Sequence, residues 1–218
     1  MKLAKATPPL SRREREHAAR QEDIMKAARE LFARQGYHDT TLEDIARHAE
    51  FGKGTIYNYF SSKEDLFYGI IDRLTSDVLA MAESSIAGTQ GDARDKLTSY
   101  ARAMITFTRA NSDLVQLIMR ELYHLESEEY DARLKKLSTR TMQVREILAR
   151  PIAREVSAKH VKSFDAFTLA TLFDGMLHFF CMSELKGYHH HAASSVDETA
   201  ASLVSVFYDG IAERKLKG

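Results

Sequence analysis

The sequence contains one cysteine, three prolines and no tryptophan, and its formal net charge at pH 7 is zero. A single cysteine, Cys181, excludes an internal disulfide and fits a reducing compartment. The longest apolar run, near Met176 to Met182, is interrupted by His178 and is far too short to span a bilayer. The first residues also lack the apolar stretch of a secretory signal. We therefore expect a cytoplasmic protein without membrane association, with Cys181 as a small buried hydrophobic residue.

Sequence signatures of catalysis and of metal binding are also missing. The chain has no phosphate-binding glycine loop, no nucleophile elbow and no HExxH sequence. His189, His190 and His191 are adjacent, so their side chains diverge in any regular structure, and we interpret them as part of a solvated loop. The sequence therefore predicts no enzyme, no catalytic residue, no cofactor and no metal site.

The composition is that of an ordinary globular protein with a basic N-terminal arm. Apolar residues make up 44% of the chain and charged residues 28%, which is typical of globular domains. Residues 1–20 carry six basic and two acidic side chains, a local charge of +4. Such an arm either attracts phosphates or is a solvated tail. Arg12, Arg13 and Arg15 are its candidates for contacts with nucleic acid.

Apolar spacing predicts helices along the whole chain and no strands. Ser11 to Glu14 form a capping box that begins the first helix, Gly36 ends it, and Thr40 to Glu43 form a second capping box. A third helix covers Lys53 to Phe60, and a fourth runs from the Ser61-Ser62 cap to about Ser85. Further helices are predicted at about 92–110, 113–124, 127–159, 163–186 and 195–215, with Pro151 kinking or splitting the third of these. The fold class is thus all-α, with about nine helices.

The third helix has two different sides. Ile56 and Phe60 are four residues apart and would pack on the first two helices. The opposite side and its flanks carry Gly54, Thr55, Tyr57, Asn58 and Tyr59. A glycine in an exposed helix costs about 1 kcal/mol relative to alanine. Its presence favours a surface that must approach another surface closely, as a helix does in a groove of duplex DNA.

A set of residues in characteristic order runs through this region: Gly36-Tyr37, Thr40-Thr41, Ile45-Ala46, Gly54-Thr55-Ile56-Tyr57-Asn58-Tyr59-Phe60, Lys63-Glu64 and Leu66. This set closely resembles the N-terminal domain of the TetR family of bacterial transcriptional regulators. The spacing and the Tyr-x-Tyr-Phe-x-x-Lys ending make the likeness specific, and it covers roughly residues 20–70. The remainder of the chain matches the family only in length and helical pattern.

The resemblance implies an all-α homodimer that binds a palindromic operator in double-stranded DNA and also binds a small molecule. We divide the chain into a basic arm with the start of the first helix (1–19), a helix-turn-helix DNA-binding domain (20–66) and a ligand-binding and dimerisation domain (67–218). The DNA-contacting set implied by position is Thr40, Thr41, Lys53, Gly54, Thr55, Tyr57, Asn58, Tyr59 and Lys63. Thr41 and Tyr57 can donate hydroxyls to phosphate, and Asn58 can pair with adenine. Lys53 can read guanine or meet a phosphate, and the sequence leaves both open.

The turn before the third helix departs from the family pattern. Family members usually have a sequence such as Ala-Gly-Val-Ser here, whereas this chain has Ala49-Glu50-Phe51-Gly52. Glu50 would occupy a backbone position that glycine fills more cheaply. Gly52 is a weaker N-cap than serine or threonine.

The C-terminal region offers a candidate cavity and a candidate interface. Methionine and aromatic side chains suit a hydrophobic or aromatic effector, although packing in the core is the better explanation of each one taken singly. The cavity candidates are Met104, Phe107, Met119, Tyr123, Met142, Phe173, Met176, Leu177, His178 and Phe180. The last two helices are apolar enough to form a four-helix interface between two copies, or else to complete the core of one subunit. The interface candidates are Phe167, Val196, Ala200, Leu203, Phe207 and Ile211.

Three functions remain open from the sequence. The first is a homodimeric DNA-binding repressor that a small effector releases from its operator. The second is a DNA-binding protein of the same fold with no small-molecule effector, which acts through a protein partner. The third, which the missing catalytic signatures disfavour, is an enzyme or carrier that uses the C-terminal cavity and whose DNA-binding head is vestigial.

Overall fold

The computed structural model describes residues 11–122, 128–158, 164–188 and 195–211. This described part contains helices and no strand, so the predicted all-α fold is confirmed. Its helices are α1 Arg12–Gln35, α2 Leu42–His48, α3 Lys53–Tyr57, α4 Lys63–Gly88, α5 Ala93–Ala110, α6 Ser112–Leu122, α7 Glu128–Ser157, α8 Ala166–Leu185 and α9 Val196–Ile211. Helix α7 continues through Pro151, which therefore does not split it.

The chain divides into two compact units, Met1–Ile71 and Asp72–Gly218. The division falls inside α4, slightly beyond the boundary between residues 66 and 67 that we expected from the sequence. The first unit contains α1, α2, α3 and the start of α4. The second contains the rest of α4 and helices α5 to α9.

Capping residues set the starts of α1 and α2. Ser11 Oγ accepts a hydrogen bond from the Glu14 N–H at 3.3 Å, and Glu14 Oε2 accepts one from the Ser11 N–H at 2.7 Å. The second capping box begins one residue later than predicted. It joins Thr41 to Asp44, and not Thr40 to Glu43, because Thr41 is the residue with extended backbone just before α2.

The turn after α2 is a Schellman motif with glutamate in the left-handed position. The Phe51 N–H bonds to the Ala46 carbonyl at 2.8 Å, and the Glu50 N–H bonds to the Arg47 carbonyl at 3.3 Å, which is the pattern of this motif. Glu50 has φ 58°, and it is the only non-glycine residue with positive φ in the described part of the chain. Its Cβ makes this conformation costly where glycine has no such penalty.

The core of the first unit holds α3 in place. Ile56 and Phe60 are buried, together with Ile24, Phe32 and Ile45 of α1 and α2. The ring of Phe60 packs directly over Gly69 of α4. A Cβ at Gly69 would lie 3.0 Å from Phe60 Cε1, so glycine permits this close approach.

The second unit has its own core, formed mainly by α5, α7, α8 and α9. Tyr100, Leu148 and Phe173 are among its fully buried side chains. Helix α8 is long and apolar enough to cross a membrane, and 39% of its most apolar 18-residue segment is buried within the protein. Core helices satisfy the same criterion, and α8 contributes Leu169, Phe173 and Leu177 to this core.

Replacing Glu50 with glycine tests the strain in the turn. Glu50→Gly is expected to raise the free energy of unfolding by about 1 kcal/mol, because glycine adopts the left-handed conformation without a Cβ clash. Urea denaturation followed by circular dichroism measures this change. Glu50→Ala is the control, since it removes the charge but keeps the Cβ. Equal stabilisation by both variants would show that charge, and not backbone conformation, limits stability here.

Candidate nucleic-acid interface and effector cavity

Helix α3 is shorter than the sequence suggested. It ends at Tyr57 after five residues, whereas we predicted a helix to Phe60. Asn58 and Tyr59 lie in a turn, and the N–H groups of Tyr59 and Phe60 both bond to the Ile56 carbonyl at 2.9 Å. This turn keeps Phe60 on the same buried side as Ile56.

The outer side of α3 is open to solvent. Tyr57 is 47% exposed, and Lys53, Gly54 and Asn58 are exposed as well, with Thr55 half-buried. A Cβ added to Gly54 would meet nothing within 4 Å. Packing inside the protein therefore does not require glycine at this position.

Lys53 forms an ion pair with Glu43 of α2. The hydrogen bond and charge of Glu43 raise the pKa of Lys53, and the hydrogen bond from Lys53 lowers the pKa of Glu43. Both side chains are largely exposed, and exposed pairs of this kind contribute little to stability. Lys53 can therefore exchange Glu43 for a phosphate at small cost.

Two threonines that we predicted to contact DNA also have hydrogen-bond partners within the chain. Thr40 is fully buried, and its hydroxyl donates to the Gly36 carbonyl at 2.7 Å. Thr41 is exposed, but its hydroxyl donates to Asp44 Oδ2 at 2.6 Å as part of the α2 capping box. Both hydroxyl hydrogens are thus used within the chain, and DNA contact by these two residues stays a prediction.

Lys63 and Tyr59 are also engaged within the first unit. Lys63 Nζ donates to the carbonyls of Tyr37 at 2.8 Å and His38 at 3.1 Å, and it lies 4.4 Å above the centre of the Tyr37 ring. The half-buried Tyr59 ring packs on His17, with ring centres 4.5 Å apart. Lys63 therefore stabilises the connection between α1 and α2, a role that its place in the predicted DNA-contacting set did not indicate.

A cavity of about 260 Å³ lies in the second unit. Its lining residues are Leu74, Thr75, Val78, Tyr100, Met104, Phe107, Thr108, Val115, Ile118, Met119, Arg140, Thr141, Val144, Asp174, His178 and Met182. Four of the residues predicted for a cavity are in this set: Met104, Phe107, Met119 and His178.

The other predicted cavity residues lie elsewhere. Phe173 and Leu177 are fully buried core residues, and Met176 and Phe180 pack against the same core. Met142 is exposed on α7, and Tyr123 lies outside the described residues. These corrections share one cause: helical spacing identifies apolar side chains but does not locate the void between them.

A buried carboxylate in the cavity wall was not singled out from the sequence. Asp174 Oδ1 accepts a hydrogen bond from Tyr100 Oη at 3.2 Å and lies 3.9 Å from His178 Nδ1, and Oδ2 accepts one from Arg145 Nε at 3.3 Å. Burial raises the pKa of Asp174, but hydrogen bonds and charge from His178 and Arg145 outweigh it and leave that pKa lowered. Burial also raises the pKa of Tyr100. The sequence does contain an indication of this buried carboxylate, because Asp174 is the single aspartate in the otherwise mostly apolar α8.

Arg140 forms a second polar group in the cavity wall. Its Nη1 donates to Asp72 Oδ1 at 2.7 Å, to the Asp72 carbonyl at 2.6 Å and to Thr75 Oγ1 at 2.9 Å, and Nη2 donates to Asp72 Oδ2 at 3.2 Å. The guanidinium therefore binds one turn of α4 through the side chains of Asp72 and Thr75 and through the backbone carbonyl of Asp72.

The predicted dimer seam mostly faces the core of its own subunit. Ala200 and Phe207 are buried there, and Val196 and Leu203 pack partly against it. Phe167 is half-buried, and the side chain of Ile211 lies outside the described residues. The apolar residues that point outward are different ones: Leu172 is 60% exposed, Phe179 74% and Val206 71%. Leu172 and Phe179 lie seven residues apart on α8 and so share one face.

Cys181 is buried, and burial raises its pKa to about 11. The side chain is therefore a thiol at neutral pH and packs as a small apolar group. Within the described ranges no three His, Cys, Asp or Glu side chains are close enough together to hold a metal ion. His189, His190 and His191 lie outside those ranges.

In the first unit, the two short helices α2 and α3 are joined by a tight turn, and the outer side of α3 is exposed. This arrangement defines a helix-turn-helix protein of the all-α class. Residues 24–69 match the family model described as bacterial regulatory proteins, tetR family. Over these residues the chain is similar to the TetR family of transcriptional regulators, the likeness that its sequence predicted.

Known relatives extend the likeness beyond the helix-turn-helix region. The chain is 42% identical to the HTH-type transcriptional regulator YfiR of Bacillus subtilis (strain 168) over 53 residues, which cover 24% of this chain and 26% of YfiR. It is 25% identical to the HTH-type transcriptional repressor KstR2 of Rhodococcus jostii (strain RHA1) over 206 residues, which cover 94% of this chain and 98% of KstR2. In YfiR and three further curated relatives the match spans only 21% to 49% of the relative's length.

A solved structure gives a similar picture for the fold. The TetR/AcrR-family regulator from Thermobifida fusca is 25% identical and superposes with a TM-score of 0.67, covering 88% of this chain and 98% of that one. The similarity therefore includes most of the second unit as well as the first.

Removing the Lys63 ammonium tests its structural role. Lys63→Ala is expected to lower the free energy of unfolding by about 1 to 3 kcal/mol, because the Tyr37 and His38 carbonyls lose a charged donor. Thermal and urea denaturation measure the change. Lys53→Ala is the matched control, and its midpoint should stay at the wild-type value because Lys53 is exposed. A Lys63→Ala protein as stable as the wild type would contradict the role assigned here.

Proposed function

We propose that this protein is a homodimeric transcriptional repressor that binds a palindromic operator through α3 and leaves it when a small hydrophobic or aromatic effector fills the cavity. The observation that carries this proposal is the open outer side of α3, with Gly54 at its centre. We further propose that the protein acts in the cytoplasm and has no catalytic activity.

The chemistry of the α3 surface suits duplex DNA. The major groove is about 12 Å wide and admits a helix whose outer side carries short or polar residues. Tyr57 can donate its exposed hydroxyl to a phosphate, and Asn58 can make a bidentate contact with adenine. Lys53 adds a positive charge that needs only to leave an exposed ion pair. A side chain at position 54 would stand between α3 and the base edges.

The cavity supports control by a small molecule. Most of its lining is apolar, with a few polar groups that can orient a ligand, as in ordinary ligand sites. Its volume of about 260 Å³ lies just below the usual range of about 300–1,000 Å³, so the expected effector is compact. A coupling of about 1–3 kcal/mol between the two sites would weaken operator binding by roughly 5- to 150-fold. Among the relatives, KstR2 is named a transcriptional repressor and FasR of Mycolicibacterium smegmatis a transcriptional activator. The match to KstR2 covers 94% of this chain and the match to FasR 50%, which supports repression here.

The exposed apolar residues of α8 and α9 support dimerisation. Leu172, Phe179 and Val206 would expose substantial apolar surface in a monomer, and burying it between two copies is favourable. A two-fold dimer presents two copies of α3, which matches the symmetry of a palindromic site.

Substitution of Gly54 separates stability from DNA binding. Gly54→Ala is expected to raise the free energy of unfolding by about 0.5–1 kcal/mol, since alanine favours helix and the added Cβ meets nothing in the protein. The same change is expected to weaken DNA binding by about tenfold, or about 1.4 kcal/mol, because the methyl group stands between α3 and the base edges. Fluorescence anisotropy with a duplex selected from a random pool measures affinity, and thermal denaturation measures stability.

Gly88→Ala is the matched control for this experiment. Gly88 also has open space around its Cβ position but ends α4 in the second unit. We expect it to leave DNA affinity unchanged. If Gly54→Ala binds DNA as tightly as the wild type, α3 does not approach the groove as proposed.

Charge on the exposed face of α8 tests the dimer. Phe179→Glu is expected to yield monomers, because two-fold symmetry would bring buried, unpaired carboxylates into the interface. Analytical ultracentrifugation measures the mass, and anisotropy measures the accompanying loss of operator affinity. Met142→Glu, at an exposed apolar position on α7, is the control and should remain dimeric. A dimeric Phe179→Glu variant would place the interface elsewhere.

A further inference from the structure

We propose that the effector carries a carboxylate on a compact apolar body, and that this carboxylate takes the place of Asp72 on Arg140. The inference rests on the proposed function of the cavity as an effector site. It adds the chemical class of the effector and the contact through which its binding reaches α4.

The apolar part of the lining determines the body of the ligand. Nine apolar side chains supply it, among them the methionines Met104, Met119 and Met182. Methionine side chains are adaptable and make favourable contacts with aromatic rings. A single ring or a short alkyl chain fits both this surface and the cavity volume.

Two polar groups include side chains of the wall. In one, Asp174 accepts hydrogen bonds from Tyr100 and from Arg145 behind the wall, and His178 lies 3.9 Å away. In the other, Arg140 donates to Thr75 and to Asp72, which lies behind the wall. Each combines a carboxylate with a guanidinium, so the attractive head group depends on which partner a ligand can replace.

Asp174 is unsuitable as the anchor of a cationic ligand. Its carboxylate is almost completely buried and already has Tyr100 and Arg145 as hydrogen-bond partners. A ligand ammonium would have to displace these partners and leave Arg145 without its carboxylate. Removing one partner of a buried pair is strongly unfavourable.

Arg140 is in the opposite situation, because its partner is the more exposed member of the pair. The side chain of Asp72 is 37% exposed and that of Arg140 18%. Asp72 can therefore return to water at small cost, while Arg140 stays in the cavity wall. A ligand carboxylate offers the same two oxygens to Nη1 and Nη2, so the bidentate geometry is kept.

This exchange changes the contacts of α4. Arg140 bonds to the backbone carbonyl of Asp72 as well as to its carboxylate and to Thr75 Oγ1. Asp72 is the first residue of the second unit, and α4 begins nine residues earlier, at Lys63 in the first unit. A ligand that draws the guanidinium away thus releases a turn of the helix that runs through both units.

Matched acids and amides test the head group. We use hydrocinnamate and octanoate with their neutral amides, and measure binding to the full-length protein by isothermal titration calorimetry. Each acid is expected to bind about tenfold more tightly than its amide, because only the acid forms a charge-assisted bidentate pair with Arg140.

Two substitutions should shift acid binding in opposite directions. Arg140→Gln should weaken acid binding by about tenfold and leave amide binding unchanged, and Asp72→Asn should strengthen acid binding several-fold by weakening the internal competitor. Arg102→Gln removes a comparable Arg–Asp pair, with Asp197 and away from the cavity, and should change neither. If Arg140→Gln does not fold, Arg140→Lys and Asp72→Asn test the carboxylate assignment. Lysine keeps the positive charge but cannot form the bidentate hydrogen bonds of a guanidinium.

The outcomes separate this inference from the proposed function. Equal binding of acids and amides overturns the carboxylate assignment but leaves an effector cavity in place. Acid binding that is insensitive to both substitutions, or absence of binding by every probe at millimolar concentration, also overturns it. If acids bind with the expected variant pattern but do not weaken operator binding, the carboxylate assignment stands and release of the operator is refuted.

Discussion

The surface offered to DNA depends on two buried side chains, Ile56 and Phe60. A helix of five residues has too few internal hydrogen bonds to be stable alone in water, so α3 exists because its inner side is anchored in the core of the first unit. Phe60 achieves this anchoring by packing over Gly69, where the missing side chain lets the ring lie against α4. Because both anchors are on one side, the outer side is free of packing constraints and is available for recognition.

The residues just before α3 favour its turn and its helix start less than other residue types would. Glu50 occupies a left-handed backbone position, and Gly52 caps α3 without a side-chain hydrogen bond. Both features oppose the fold locally, since a glycine in the turn and a serine or threonine at the cap would suit it better. The buried anchors outweigh them, which is the usual arrangement when local preference and tertiary packing disagree.

Short-range signals in the sequence predicted much of the fold. The capping box at Ser11 and the glycine at position 36 define α1 from contacts within four residues, and the structure places its ends there. The second cap was misplaced by one residue because Thr40 and Thr41 both carry the required hydroxyl. What distinguishes them is that Thr40 is fully buried against the end of α1, a tertiary fact that a local pattern does not contain.

Long-range contacts account for most of what the sequence did not predict at the candidate sites. Lys63 meets carbonyls more than twenty residues away, and Arg140 meets Asp72 across 68 positions. Nothing in their immediate neighbours indicates such partners. The dimer seam shows a related limit: helical spacing reveals that α9 has an apolar face, but it does not say whether that face meets its own subunit or a second one. Here Ala200 and Phe207 face inward, and Val206, beside them, faces outward.

The two arginine–aspartate pairs of the second unit illustrate how burial determines the role of one chemical interaction. In the Arg145–Asp174 pair the carboxylate is 4% exposed, whereas in the Arg140–Asp72 pair it is 37% exposed. A buried carboxylate that loses its partner costs several kcal/mol, while an exposed one regains water and costs about 1 kcal/mol or less. The first pair therefore fixes the packing of α7 against α8, and its polar atoms shape one wall of the cavity. The second can exchange its carboxylate for another, which makes it the part of the wall through which a bound molecule can act on α4.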